Sequence, residues 1–146
     1  MAKELDYKEK LNEIIGLLEK EKEIVISTAN GNKVAARTVY FVFNNNCIYF
    51  VTSKSYEKYK QIEKNSNVAL CFFNISMEGV AIIKGHPELK ENKKAFDYCL
   101  SKCPEMKKYG KYKNTVLIEI KINKIEMWKG GREYININEK TAYRIG

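Results

Sequence analysis

From Ile24 onward the chain is punctuated as a meander. The runs IVISTA, KVAARTVYFVF and CIYFVT are rich in β-branched and aromatic residues, and the turns Asn30-Gly31-Asn32 and Asn44-Asn45-Asn46 separate them. Asn and Gly tolerate the positive φ that tight hairpins require, so this pattern predicts three consecutive antiparallel strands. NVALCFF and GVAIIKGHPEL extend the series, with Gly85 breaking the second run and Pro87 placing an edge or a bulge there. In TVLIEIKINKIEMW the apolar positions Val116, Ile118, Ile120 and Ile122 alternate, then shift phase to Ile125 and Met127. One extra residue near Asn123 explains the shift, and it turns Trp128 to the face opposite that later pair.

Helical spacing appears in three places. Tyr7, Leu11, Ile14, Ile15 and Leu18 form one apolar stripe, which predicts an amphipathic helix ending near Lys22. SYEKYKQIEKN places Tyr59 and Ile62 on one face, with Ser55 as a candidate N-cap. ENKKAFDYCLSKC repeats Ala95, Phe96, Cys99, Leu100 and Cys103 helically before Pro104 restarts the chain into the polar PEMKKYGKYKN. The expected fold class is mainly β (α+β): a six-stranded antiparallel barrel with helices packed outside. With 146 residues a single core is expected. Its parts are a helix over 1–22, a barrel with helical insertions over 24–128 and a C-terminal tail over 129–146.

Composition narrows the chemistry. The charged amino terminus offers neither the apolar centre of a secretory signal nor a membrane span, so a cytoplasmic protein with no membrane partner is expected. Cys47, Cys71, Cys99 and Cys103 contain no CxxC pair, and with His86 as the one histidine they give no metal spacing, so free thiols are expected. No Ser-His-Asp set, paired carboxylates or Walker-type motif supports hydrolysis or nucleotide-triphosphate chemistry, and no catalytic residue is assigned. The net charge of +8 is carried almost entirely by lysine, with Arg37, Arg132 and Arg144 the three arginines. Base-edge readout favours forked guanidinium groups, so the lysine excess fits a solvated surface; a basic field would also draw in a small phosphate-bearing molecule, and the charge alone does not choose between these.

Strict alternation puts Arg37 on the face of Val39, Phe41 and Phe43, where a guanidinium needs an anionic partner or must snorkel out. FVTSKSYEKYKQI gathers Thr52, Ser53, Lys54, Ser55 and Lys58 where a strand gives way to a helix, a natural seat for a phosphate. Trp128, before Gly130-Gly131, is placed to stack on a ring, to pack at an interface or to fill a core. Cys99 and Cys103 share a helical face, where burial fits better than a redox pair.

Together these residues resemble the pyridoxamine 5'-phosphate oxidase-like, FMN-binding split-barrel superfamily, especially its general stress protein branch. The resemblance runs from about Ile24 to Trp128 and is anchored by ARTVYFVF, IYFVTSKSYEKYKQIEKNSNVALCF, GHPEL and IEMWKGG. It implies a split barrel, FMN as cofactor, and a homodimer with the FMN sites across its interface. It also implies that the strand of Arg37, Thr38 and Val39 lies along the flavin, that Arg37, Thr52, Ser53 and Lys58 contact its phosphate and ribityl groups, that Val51 belongs to the same cofactor site, and that Trp128 flanks it. The sequence departs from the oxidases at Tyr56, Glu57 and Val80, which implies weaker FMN binding. Val42 replaces their substrate-phosphate lysine, and GGREYININ lacks their substrate motif, which argues against pyridoxamine phosphate oxidation.

The expected function is an FMN-dependent oxidoreductase using a small-molecule electron donor or acceptor, since a flavin carries the hard chemistry itself. A non-catalytic flavin-binding or redox-sensing protein is the alternative. Another planar cofactor such as haem also fits this outline. A single-strand nucleic-acid module is a third class, raised by tyrosines on a small barrel and weakened by the scarcity of arginine.

Overall fold

The computed structural model describes residues 2–146. A short strand β1 (Ala2–Leu5) leads into α1 (Tyr7–Glu19), whose first turn is capped by the Asp6 carboxylate accepting from Glu9 N at 2.9 Å. Ile14 and Leu18 of its predicted stripe are fully buried. The meander follows as β2 (Glu23–Asn30), β3 (Lys33–Tyr40), β4 (Val42–Asn44) and β5 (Cys47–Ser53). Gly31, Asn45 and Asn46 take the positive φ that their turns demand. After α2 (Glu57–Lys64) come β6 (Asn67–Phe72), β7 (Ile75–Gly85), α3 (Lys93–Lys102), a 3-10 turn over Pro104–Tyr109, and the long β8 (Thr115–Trp128).

The expected tail over 129–146 folds as a hairpin, β9 (Arg132–Asn136) and β10 (Thr141–Ile145), to which β1 adds an antiparallel edge. Its sequence signal was weak because the strands are short and only one face is buried. Ten strands are thus present among the described residues, where the repeat of long apolar runs predicted six.

All strands pair antiparallel in the order β1-β10-β9-β8-β7-β6-β2-β3, with β5 joining β8 and β4 joining β5. The sheet is not closed, because β3 and β5 make no ladder with each other. β8 organises the whole. Its first half pairs with β5 and its last with β9, and Asn123 marks the exchange as the bulge opposite Glu78 and Gly79. The sequence predicts that bulge from its apolar phase shift. A second irregularity falls at Lys84, just before Gly85 ends β7, so Pro87 lies beyond the strand.

Gly79 is required by this crossing. A Cβ there would stand 2.6 Å from the Lys121 carbonyl oxygen and 2.7 Å from Ile120 Cγ2. Backbone cannot yield as a flexible side chain can, so Gly79→Ala is expected to destabilise the fold by about 2 kcal/mol. Urea unfolding checks this, and an unchanged midpoint would contradict the close approach.

Two apolar clusters result. Ile24, Ile26, Phe41, Ile48, Phe50, Ile118 and Ile120 are among those filling the barrel. Outside it, Val42 and Leu117 meet Phe96, Cys99, Cys103 and Met106 beneath α3 and the Pro104 turn. This second cluster explains why Val116, Leu117 and Ile118 are all fully buried where alternation predicts one inward face. It also fixes Tyr109 and the residues after it beside the open seam.

Candidate functional site

Where β3 and β5 part, the barrel wall opens into a cavity of about 940 Å³. Thr38, Val39 and Tyr40 line it from β3, and Val51, Thr52 and Ser53 from β5. Tyr56 and Lys58 contribute from the start of α2. The alternation of two strands that do not pair with each other thus delivers both apolar and hydroxyl side chains to one place. Six of the eight residues expected at a cofactor line this single cavity: Thr38, Val39, Val51, Thr52, Ser53 and Lys58.

Thr52 is buried, yet its Oγ1 has no hydrogen-bond partner among the described residues. An unsatisfied buried hydroxyl costs about 1–3 kcal/mol, which a ligand atom in the cavity would recover. Beyond β5 the chain folds back through Ser55 N donating to Ser53 Oγ at 3.3 Å, with the two serine hydroxyls 2.8 Å apart. The N-cap of α2 is Tyr56 with no side-chain cap, so the expectation of Ser55 as the cap is corrected. Ser55 is spent on Ser53. The first amides of α2 therefore lack a side-chain acceptor.

Arg37 does not line the cavity, although its charge is felt by Lys58. Its Nη1 donates to Thr28 Oγ1 at 2.7 Å, and that hydroxyl donates to Gln61 Oε1 at 2.5 Å, so β2, β3 and α2 are tied by one polar chain. Burial lowers the Arg37 pKa, against a partly opposing pull from Glu57. Burial and then the Arg37 charge lower that of Lys58, whose Nζ lies 4.8 Å from the Tyr56 ring centre. Neither cation has an ion-pair partner among the described residues. Two neighbouring, partly desolvated cations beside uncapped amides and an orphaned hydroxyl form a seat for a dianion.

Trp128 is not brought to this cavity. It stands at the opposite end of β8 from the cavity residue Thr115 and is 57% exposed, with the Arg132 guanidinium 5.8 Å from its ring centre. Within one chain it cannot flank the seat.

Sequence reasoning missed one wall. Tyr109, Tyr112, Lys113, Asn114 and Thr115 continue the cavity past the end of β5, and Glu23 is the one carboxylate at its edge. The signal was the dense Lys-Tyr alternation of KKYGKYKN, whose position beside the seam depends on the second cluster. No group of three potential metal ligands occurs among the described residues, and no helix there is long and apolar enough to cross a membrane. Cys99 and Cys103 are buried under α3 as free thiols; burial pushes Cys99 up to about 12.

The family model for pyridoxamine 5'-phosphate oxidase matches residues 10–129. No curated protein matches the sequence significantly. Among solved structures, general stress protein 26 from Bacillus anthracis is 24% identical, with 87% of this chain and 98% of that one aligned and a TM-score of 0.65. An FAD-binding protein from Mesorhizobium loti is 11% identical over 100% of this chain and 99% of that one, with a TM-score of 0.65. HutZ, the heme storage protein from Vibrio cholerae, is 13% identical over 77% and 90%, also at 0.65. At these identities the likeness is one of fold.

Proposed function

Because this chain belongs to the pyridoxamine 5'-phosphate oxidase family, we propose that it binds FMN along the β3–β5 seam and works as a cytoplasmic, flavin-dependent oxidoreductase on a small molecule. The observation that carries this reading is a seam cavity lined by Lys58 and by Thr52, whose buried hydroxyl has no partner, with the cation of Arg37 close by. These groups fit a flavin phosphate. Lys58 and the first amides of α2 hold it, with Arg37 adding charge from close by, while Thr52 and Ser53 donate to phosphate or ribityl oxygens. Val39 and Val51 give the ring apolar flanks. When bound, FMN supplies the electron-transfer chemistry, so the chain has only to bind, orient and desolvate.

Trp128 reaches such a site only from a second copy, which agrees with a homodimer whose flavin sites lie across its interface. Pyridoxamine phosphate is not the substrate in this reading. Val42, which replaces the oxidases' phosphate-binding lysine, is buried in the second cluster and offers no charge.

Haem fits less well. Both ring nitrogens of His86 are engaged by backbone, Nδ1 accepting from Glu88 N at 3.0 Å and Nε2 lying 2.8 Å from the Tyr112 carbonyl, and His86 does not line the cavity. A haem would have to rely on another axial ligand, such as a tyrosine.

Purified protein mixed with FMN and desalted is expected to keep the visible flavin bands, on a species of twice the 17.0 kDa chain mass. Loss of all flavin on desalting would overturn the cofactor assignment, and a flavin-bearing monomer the dimer. Bound flavin that exchanges no electrons with any added donor or acceptor would replace the oxidoreductase with a flavin sensor.

A further inference from the structure

We propose that the wall formed by Tyr109, Tyr112 and Lys113 is a second subsite of the seam cavity, built for a planar aromatic anion, and that His86 is its positioning residue. The proposal rests on the flavin reading for the occupant of the first subsite and goes beyond it in naming the class of the second ligand. At about 940 Å³ the cavity lies near the top of the roughly 300–1,000 Å³ that small-molecule sites span. Thr115 pairs with Ser53 and Lys54 N donates to the Asn114 carbonyl, so this wall continues the cavity past the end of β5, and a flavin along β3 and β5 leaves it to a second molecule.

The chemistry of that wall is specific. Tyr109 and Tyr112 are 37% and 57% exposed, too open for core packing, yet both face the cavity. Lys108 Nζ stands 5.1 Å from the Tyr109 ring centre and Lys111 Nζ 6.0 Å from that of Tyr112. A cation near each ring makes the pair an electropositive stacking surface. Lys108, Lys111 and Lys113 form no ion pair among the described residues, so their field is not cancelled locally. Flat rings are held by stacking, and a sulfonate or carboxylate on the ring is drawn to Lys113.

This wall has no strand ladder to hold it. Thr115 Oγ1 donates to the Tyr109 carbonyl at 2.6 Å, and the Tyr112 carbonyl accepts from Thr115 N at 3.2 Å. His86 supplies the clasp from a separate element. Because its Nδ1 accepts a backbone amide, Nε2 carries the proton and donates to the Tyr112 carbonyl. The imidazole is anchored in turn, since buried Asn92 donates to both the His86 and Lys84 carbonyls at 2.8 and 2.9 Å. Gly110 lies flat against Phe96, where a Cβ would come within 2.9 Å of the ring.

The test titrates FMN-loaded protein with 1,4-naphthoquinone-2-sulfonate and with uncharged 1,4-naphthoquinone, by calorimetry and by the change in the bound flavin's spectrum. Saturable binding is expected, tighter for the sulfonate by about tenfold, with Lys113→Gln removing that preference. Tyr109→Ala/Tyr112→Ala should abolish binding of both quinones. His86→Ala should weaken it about tenfold and His86→Gln, which keeps a donor, should restore most of it. Flavin retention should stay constant throughout, and the melting curve should stay constant in Lys113→Gln and the double tyrosine variant. Equal binding to wild type and the double tyrosine variant, or no preference for the anion, would overturn the proposal. If the wild type retains no FMN, the flavin reading fails, and the same titration of flavin-free protein still decides the subsite: binding lost in the tyrosine variant supports it, and absence of binding overturns it.

Discussion

Lys58→Ala is expected to weaken FMN binding about 10- to 100-fold without lowering the stability of the flavin-free protein. Lys58 lines the cavity, is half-buried near the Arg37 charge and forms no ion pair with a carboxylate among the described residues, so its charge contributes nothing to the fold that an anionic ligand would not improve. A hydrogen bond to a charged group contributes about 1.5–3 kcal/mol, and each 1.4 kcal/mol is a factor of ten in affinity. Arg37→Ala should weaken binding less, because that guanidinium does not line the cavity and Thr28 keeps its bond to Gln61. Thr52→Val tests the third element: it removes a buried oxygen that has no partner, so stability should hold or rise while affinity falls. Fluorescence titration of FMN with parallel thermal melts checks all three. Affinity unchanged in Lys58→Ala would remove the phosphate assignment, and loss of stability would show that the lysine has a structural partner.

Glu133→Ala is expected to cost about 3 kcal/mol of folding stability. The carboxylate is buried, with Lys10 Nζ 2.7 Å from one oxygen and Arg144 Nη1 donating to the other at 2.8 Å. Removing one partner of a buried pair leaves the others uncompensated, at about 3–5 kcal/mol. The lower figure applies because Lys10 keeps Glu13, 2.7 Å away. Lys129 closes the network on Glu13 at 2.8 Å, so one cluster joins α1 to the β9–β10 hairpin.

The pH dependence follows from the same contacts. Burial pushes the Glu133 carboxyl up, but the close ammonium of Lys10 and the hydrogen bond and charge of Arg144 outweigh it and hold the pKa below the usual 4.5. Hydrogen bonds from Lys10 and then Lys129 lower Glu13 likewise. A carboxyl depressed in the folded state stabilises the protein above its unfolded pKa and loses that contribution as pH falls through the folded value. Urea midpoints of the wild type should therefore drop between roughly pH 5 and 3, and Glu133→Gln should flatten that drop. A wild-type midpoint that holds steady across this range would contradict the network's role.

The sequence determined the local structure because its signals are local. The Asn-Gly-Asn and triple-Asn turns set the hairpins, and the stripe from Tyr7 to Leu18 set α1. The phase shift after Ile122 located a bulge at which β8 changes partners. The family resemblance, carried by motifs in order, pointed to Thr38, Val39, Val51, Thr52, Ser53 and Lys58, which the fold gathers at one cavity. The hairpin after Trp128 stayed hidden because its strands are short and one face is solvated.

What only the tertiary structure decided is where the sheet fails to close. No residue in β3 or β5 announces that these strands will not pair; β5 gives one edge to β8 and the start of the other to β4, while β3 gives one edge to β2 and leaves its other edge without a partner strand. The cavity is the consequence of those two choices. So is the Tyr109–Tyr112 wall, which packing of Met106 and Phe96 on Leu117 holds beside the seam, and so is the separation of Trp128 from the seat. Turn chemistry and side-chain period act over a few residues and can be read along the chain, whereas a gap between strands is a property of every pairing that surrounds it.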